Sequence, residues 1–397
     1  MFIGIVGKPS VGKSTFFKAA TMADVEIANY PFTTIKPNHA VGYVKVIDPA
    51  RHFGKISNPR TGYVIDNYRF VPVDLMDVAG LVPGAHLGLG MGSQFLDDLR
   101  QADALIHVID VSGSVNEKGE PVEPGSYDPS NDVRFLEVEL DMWYNSILKR
   151  GWDKFARNIQ QEKAKVEVAL AKQLSGLRVM EDDIKDAMRD LALSEVITTW
   201  TDDDLLKLSA YLRKKTKPMV IAANKVDVIC GKENLERLRK DFPEYKFIPC
   251  SAESEVALRE ANKRELIKYI PGEKDFVITS DKLNDAQKNA LGIIKKSVLD
   301  IYFTSGVQDV LNAAVFDLLK YKAIFPGGVS KLEDSHGNCL PDCFLMPPKS
   351  TALDFAFKLH TDFGKNFIRA INVKTKMPVG KDHPLDNGDI VEIVSGK

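Results

Sequence analysis

The stretch FIGIVGKPSVGKS, Phe2 to Ser14, decides the fold. Its first half is apolar without alternation, which suits a strand covered on both faces. Its second half, Gly7 to Ser14, spaces as G-x-x-x-x-G-K-S and runs into the helical pattern TFFKAATMA. Strand, glycine loop and helix in that order make an anion cradle. Glycines let the backbone wrap closely around phosphate, and N–H groups at a helix start face the charge. Gly7, Lys8, Pro9, Ser10, Val11, Gly12, Lys13, Ser14 and Thr15 are therefore the expected nucleotide contacts. Lys13 would reach the β- and γ-phosphates, and Ser14 would bind Mg²⁺.

Four more apolar runs follow: VPVDLMD (71–77), ALIHVID (104–110), MVIAAN (219–224) and KFIPC (246–250). With the first strand they predict a doubly wound α/β sheet. Asp77 ends the first of these runs. A carboxylate there would hold Mg²⁺, and the N–H of Gly80 would bond the γ-phosphate. Ligands of open parallel sheets bind beyond the C-terminal strand ends, where AANKVD puts Asn224, Lys225 and Asp227. An Asp at 227 accepts from guanine N1–H and N2–H₂. Adenine would leave a buried carboxylate unpaired, costing it about 1–3 kcal/mol or more. Lys225 would lay its stem along the base, and CSAE would turn the backbone of Ser251 and Ala252 to the guanine oxygen.

Two segments are the expected switches. In ANYPFTTIKPN either Thr33 or Thr34 can close over Mg²⁺ and the γ-phosphate, with Thr34 preferred. DVAGLVPGAHLGLGMG carries Leu81 directly after Asp-x-x-Gly, where a glutamine would orient the attacking water. His86 is the alternative on this chain, since a neutral imidazole can orient or accept from water. The plainer reading is a solvent-facing loop histidine. Lys13, Thr34, Gly80 and His86 form the expected catalytic set, and Ser14, Thr34 and Asp77 the metal set.

The length of 397 residues fits two to three domains. A net charge of −2 excludes bulk attraction to nucleic acid or membrane, so any such contact needs a local patch. Four cysteines make no disulfide framework, which points to a reducing compartment. Cys339 and Cys343 are half a zinc site at most, without a second Cys/His pair nearby. The apolar runs fall short of the ~20 residues a spanning helix needs, and the chain opens without a charged leader. A soluble cytoplasmic protein is expected.

Between the runs at 104–110 and 219–224 lies too much chain for one crossover. It opens with a Gly/Pro/Ser-rich loop; then Phe155, Ile159, Val166, Leu170 and Leu174 fall at helical spacing, followed by Ser175–Gly176 and Met180, Ile184, Met188, Leu191. The pattern predicts an inserted helical hairpin. Its first arm, 149–178, has eight Lys/Arg against three Asp/Glu, and its second, 179–206, has two against nine. Either the arms neutralise each other, or the basic arm meets RNA phosphates. YKAIFPGGVSKLED reads as a linker into a last α+β module. The expected domains are 1–125 with 207–318, the insert 126–206, and the C-terminal unit 319–397.

The joint signature GKPSVGKST, NYPFTTIKPN, DVAGLVPGAHLGLGMGSQFL and NKVD resembles the Obg-related translation GTPases, most closely their YchF/Obg-like branch. NCLPDCFLMPPKSTALDFAFKLHTDFGKNFIRAINVKTKMPVG resembles a TGS domain, a β-grasp module. The resemblance implies a P-loop (Ras-like) GTPase domain, Mg²⁺, and association with ribosomes or RNA. It also supplies two contrasts. ATP-preferring YchF members carry Asn-x-x-Glu where this chain has Asp227. Potassium-activated relatives often carry Asn where it has Ser10, so a potassium requirement does not carry over. An apolar residue at the place of Leu81 is usual in these relatives, and a histidine at the place of His86 occurs in YchF-type ones. The competing readings are a YchF-like ATPase and an RNA- or ribosome-binding adaptor whose nucleotide is mainly structural. The cations Lys358, His360, Lys365, Arg369, Lys374 and Lys376 of the last module are candidate RNA contacts.

Overall fold

A computed structural model describes residues 1–22, 39–78 and 99–396. Thr33, Thr34, Gly80, Leu81 and His86 therefore lie outside the described residues.

Among the described residues one sheet holds β1 (Phe2–Val6), β2 (His39–Ile47), β3 (Tyr63–Ile65), β4 (Tyr68–Asp77), β5 (Ala104–Asp110), β6 (Met219–Asn224) and β7 (Lys246–Cys250). The order is β2-β4-β1-β5-β6-β7, with β3 on β4. All five expected strands are present. β4, β1, β5, β6 and β7 are parallel, so their C-terminal ends share one edge. β2 and β3 are antiparallel additions that the sequence reading did not anticipate.

The unbroken apolar runs are explained by two packed faces. Ile3, Ile5, Ile106, Val108, Val220 and Ala222 pack with Phe16, Ala19 and Ala20 of α1 (Lys13–Thr21). Val6, Met76 and Leu105 face the other way.

That second face is covered by the insert. It comprises α2 (Ser130–Lys149), α3 (Trp152–Glu162), α4 (Val166–Gln173), α5 (Glu181–Asp190) and α6 (Asp202–Thr216). The segment is thus five helices among the described residues, not a two-armed hairpin. Periodicity ran Phe155 to Leu174 together because the break has no sequence mark: Lys163, at φ 49°, ends α3 in the left-handed conformation that glycine favours. The insert has no separate core. Leu136, Leu140, Trp143, Leu170, Ile184, Leu205, Leu208 and Leu212 join Val6, Met76 and Leu105 in one cluster. The boundary expected at 206 falls inside α6, whose buried Leu205, Leu208 and Leu212 form one continuous stripe.

Nor do the two arms neutralise each other. Among the described residues Lys149–Asp202, at 2.7 Å, is the one ion pair joining them. Asp183 and Asp186 are met by Lys215 of α6.

Between β6 and β7 lies α7 (Gly231–Asp241); after β7 come α8 (Ala252–Lys263) and the hairpin of β8 (Ile267–Tyr269) and β9 (Phe276–Ile278). A helical run then starts with α9 (Asp285–Ile294), and α10 (Val307–Asn312) within it returns to the core beside Ile3 and Ile5.

The last sheet contains β10 (Lys322–Pro326), β11 (Phe344–Met346), β12 (Phe367–Asn372), β13 (Met377–Val379) and β14 (Ile390–Ser395). Its order is β11-β10-β14-β12-β13, with α11 (Ala352–Leu359) packed on it through Ala352 and Phe355. The first part of the stretch expected to be a linker, Lys322–Pro326, is β10, an internal strand of this sheet. Arg69 of β4, fully buried, ties the two sheets together. Its guanidinium donates to Leu340 O at 2.7 Å and Pro341 O at 3.0 Å.

Candidate functional site

Register builds the site. Ile5 pairs with Asp77, and Asp110, Asn224 and Cys250 pair in a row across β5, β6 and β7. Asp77, Asp110, Asn224 and Cys250 each end a strand at the same sheet edge. β1 stands between β4 and β5, where the chain order reverses, and such a switch point is where open α/β sheets bind ligands.

The loop after β1 curls there. Ser10 and Gly12 hold positive φ, 65° and 94°, and Gly12 leads into α1. Gly12 cannot be replaced freely. A Cβ would lie 2.3 Å from Asn224 Nδ2, on top of its φ. Pro9, Ser10 and Ser14 are exposed; Val11 is buried, and Gly12, Lys13 and Thr15 are half-buried. Lys13 Nζ is ion-paired with Asp77 across the β1–β4 boundary. The loop lysine and the strand-end carboxylate are therefore neighbours, as phosphate and metal binding on one nucleotide require.

Asn224 is the clamp. Its Nδ2 donates to Val11 O at 2.8 Å, and its Oδ1 accepts from Ala252 N at 3.0 Å. One buried side chain thus joins the phosphate loop to the turn after β7. The expectation that Ser251 and Ala252 present free N–H groups to a base needs correcting. Ser251 N donates to Ser305 O at 2.9 Å, and Ala252 N to Asn224. A base oxygen reaches either donor only by exchange.

Lys225 has φ 62° and donates to Asp110 Oδ2 at 2.9 Å. Asp110 also accepts from Ser112 N, Ser112 Oγ and Ser114 Oγ. It is 1% exposed, so these donors are what make a buried carboxylate tolerable. Asp227, by contrast, is exposed. The desolvation that would penalise adenine must come with the base itself.

Lys8 departs from its expected role. Its side chain is buried and leaves the loop to meet Asp132 of α2 at 2.8 Å, Val115 O at 3.0 Å and the Tyr127 ring at 3.7 Å. Any phosphate contact from residue 8 falls to its backbone. Burial pushes the Asp132 carboxyl up and the Lys8 ammonium down, and their contact opposes both shifts. Beside them His107 is fully buried, and burial, then the charge on Lys8, lower its pKa to about 3.

Sequence reasoning missed Asp110, Tyr127 and Asp132. Asp110 had a signal, being an acid that closes a largely apolar strand beside a phosphate loop. Tyr127 and Asp132 lie at the end of a Gly/Pro/Ser-rich stretch that gives no cue to the P-loop contact they make.

Known proteins match nearly the whole chain. The family model "50S ribosome-binding GTPase" matches residues 2–133. "Obg-like GTPase YGR210-like, G4 motif-containing domain" matches 222–328, and the TGS domain 336–395. A GTP-binding protein of Methanocaldococcus jannaschii is 50% identical over 395 residues, covering 99% of this chain and 98% of that one. The crystal structure of a GTP-binding protein from Pyrococcus horikoshii superposes with a TM-score of 0.79 at 42% identity, covering 100% of both chains. The ribosome-binding ATPase YchF of Bacillus subtilis is 29% identical, covering 98% of this chain and 97% of that one. With a phosphate loop, a strand-end Asp77, an Asn224 clamp and a β-grasp module on one chain, the protein belongs to the YchF-like branch of the Obg-related P-loop GTPases with a C-terminal TGS domain.

Proposed function

We propose that the chain hydrolyses GTP to GDP and phosphate with Mg²⁺, as a nucleotide-dependent switch acting on the ribosome or RNA in the cytoplasm. The observation that carries this reading is the convergence at one sheet edge of the Gly7–Ser14 loop, Asp77, and the Asn224–Asp227 turn. In this reading Lys13 neutralises the β- and γ-phosphates while Asp77 and Ser14, with Thr34, hold Mg²⁺. The donor set suits that ion: a carboxylate and hydroxyls, the hard oxygen ligands it prefers. Bound Mg²⁺ would supply charge neutralisation between the phosphates. Asp227 reads the guanine edge, and Lys225, held by Asp110, flanks the base. Gly80 bonds the γ-phosphate, and His86 is the proposed partner of the attacking water.

Partner contact is proposed for two surfaces. Lys154, Arg157, Lys163, Lys165 and Lys172 of the insert are exposed and have no ion-pair partner among the described residues. On the TGS module Lys358, Lys365, Arg369 and Lys376 are exposed as well, and exposed His360 lies 3.4 Å from Asp362. Cations left unpaired are what phosphate backbones recruit. The relatives named ribosome-binding support the same partner.

The test is GTP against ATP, in binding competition and in turnover, with and without ribosomes. GTP preference with ribosome-raised turnover is expected. Equal or better ATP hydrolysis would sink the guanine assignment, and binding without turnover under every condition would leave an adaptor.

A further inference from the structure

The insert is anchored to the phosphate loop at both of its ends. At its start, Lys8, the second residue of the loop, reaches Asp132 in the first turn of α2 at 2.8 Å. The same oxygen, Asp132 Oδ1, accepts from Tyr127 OH at 2.8 Å. At its end, α6 feeds through Lys217 into β6, whose last residue, Asn224, holds Val11 O at 2.8 Å. The two helices are locked together by buried Arg213 of α6, which donates to Asp141 of α2 at 2.7 Å.

Between the two anchors lies the turn that needs them. Ser10 sits at φ 65°, a conformation that is strained for a non-glycine residue and persists only where its surroundings over-determine it. Lys8 fixes the chain two residues before Ser10, and the Val11 carbonyl fixes it one residue after.

We propose that Asp132 is a positioning residue for phosphate binding. Acting through Lys8, it sets the shape of the phosphate loop, and so its grip on nucleotide phosphates, from the first turn of the helical insert. This rests on the reading of the loop as a nucleotide site. A partner that shifts α2 would then loosen the nucleotide without touching it.

The experiment measures GDP and guanosine affinities of the full chain with Asp132→Asn. The variant should bind GDP roughly ten-fold or more weakly, mainly through faster dissociation, a coupling of ordinary size between distinct positions. Guanosine has no phosphates to lose, so its affinity should stay within about two-fold. Should Asp132→Asn fail to fold, the double variant Lys8→Met with Asp132→Leu removes both charges and leaves neither buried alone. The same split is expected from it. Unchanged GDP affinity in a folded variant, or equal loss for GDP and guanosine, would overturn the assignment. A wild-type chain that binds no GDP would sink the nucleotide reading along with it; wild-type binding with an unaffected variant sinks only this one.

Discussion

Replacing Asn224 by Ala removes a side chain that is 3% exposed and joins two loops. Two hydrogen bonds go, Nδ2 to Val11 O at 2.8 Å and Ala252 N to Oδ1 at 3.0 Å. Each is worth about 1 kcal/mol net, and a buried partner left orphaned adds of order another 1–3 kcal/mol. Partial relaxation of both loops brings the expected total to about 2–4 kcal/mol. If all of it fell on nucleotide binding, the dissociation constant for GDP would rise roughly 30- to 1,000-fold. Some will appear instead as lost stability, so two measurements are needed on one preparation: equilibrium binding of a fluorescent GDP, and urea unfolding without nucleotide. Asn224→Asp separates the two bonds, since it keeps an acceptor for Ala252 N and turns an oxygen towards Val11 O. It should bind GDP as poorly as the alanine variant. A summed loss below about 1 kcal/mol in Asn224→Ala would refute the clamp, because two orphaned buried groups cannot be that cheap.

Other outcomes follow from the same contacts. Asp227→Asn should narrow the preference for GTP over ATP by at least about ten-fold, read in competition binding; a preserved ratio would show that another group reads the base. Arg69→Met strips two buried carbonyls of their charged donor and should destabilise the chain by about 3 kcal/mol, or split its thermal unfolding into two steps. A single transition at the wild-type temperature would rule out the Arg69 tie between the two sheets. Burial lowers the pKa of Lys217 to about 7 from 10.5, so between those values the unfolded chain holds a proton the folded one has shed. Stability should therefore rise with pH through that window, by about 2 kcal/mol from pH 7 to 9 relative to Lys217→Met, measured by urea midpoints. Parallel curves for the two proteins would mean Lys217 stays charged when folded.

The sheet was legible because its strands are buried on both faces, and continuous runs such as ALIHVID have few other readings. β2 was not, since HAVGYVKVI is an edge strand that owes its place to pairing with β4 rather than to its own pattern. The insert was half legible. Apolar spacing finds helices, but a break at Lys163 looks like any other lysine on a helix face. In the site, motif residues could be named from spacing alone. Their partners could not, because Lys8–Asp132 spans 124 residues and Lys225–Asp110 spans 115. Backbone donors were over-read for a related reason. Sequence shows that Ala252 has an N–H but not that Asn224 already accepts it.

The place of β10 bears on modularity. The TGS match begins at residue 336, whereas the strand that holds β11 to β14 is Lys322–Pro326. A fragment cut at 336 would lose an internal strand, stranding β11 and baring the edge of β14. Bare edges invite pairing with other chains. The module therefore moves between proteins, in the laboratory or in evolution, only with the residues ahead of its recognisable motif, and a fragment from about 320 is the shortest piece that keeps the sheet whole.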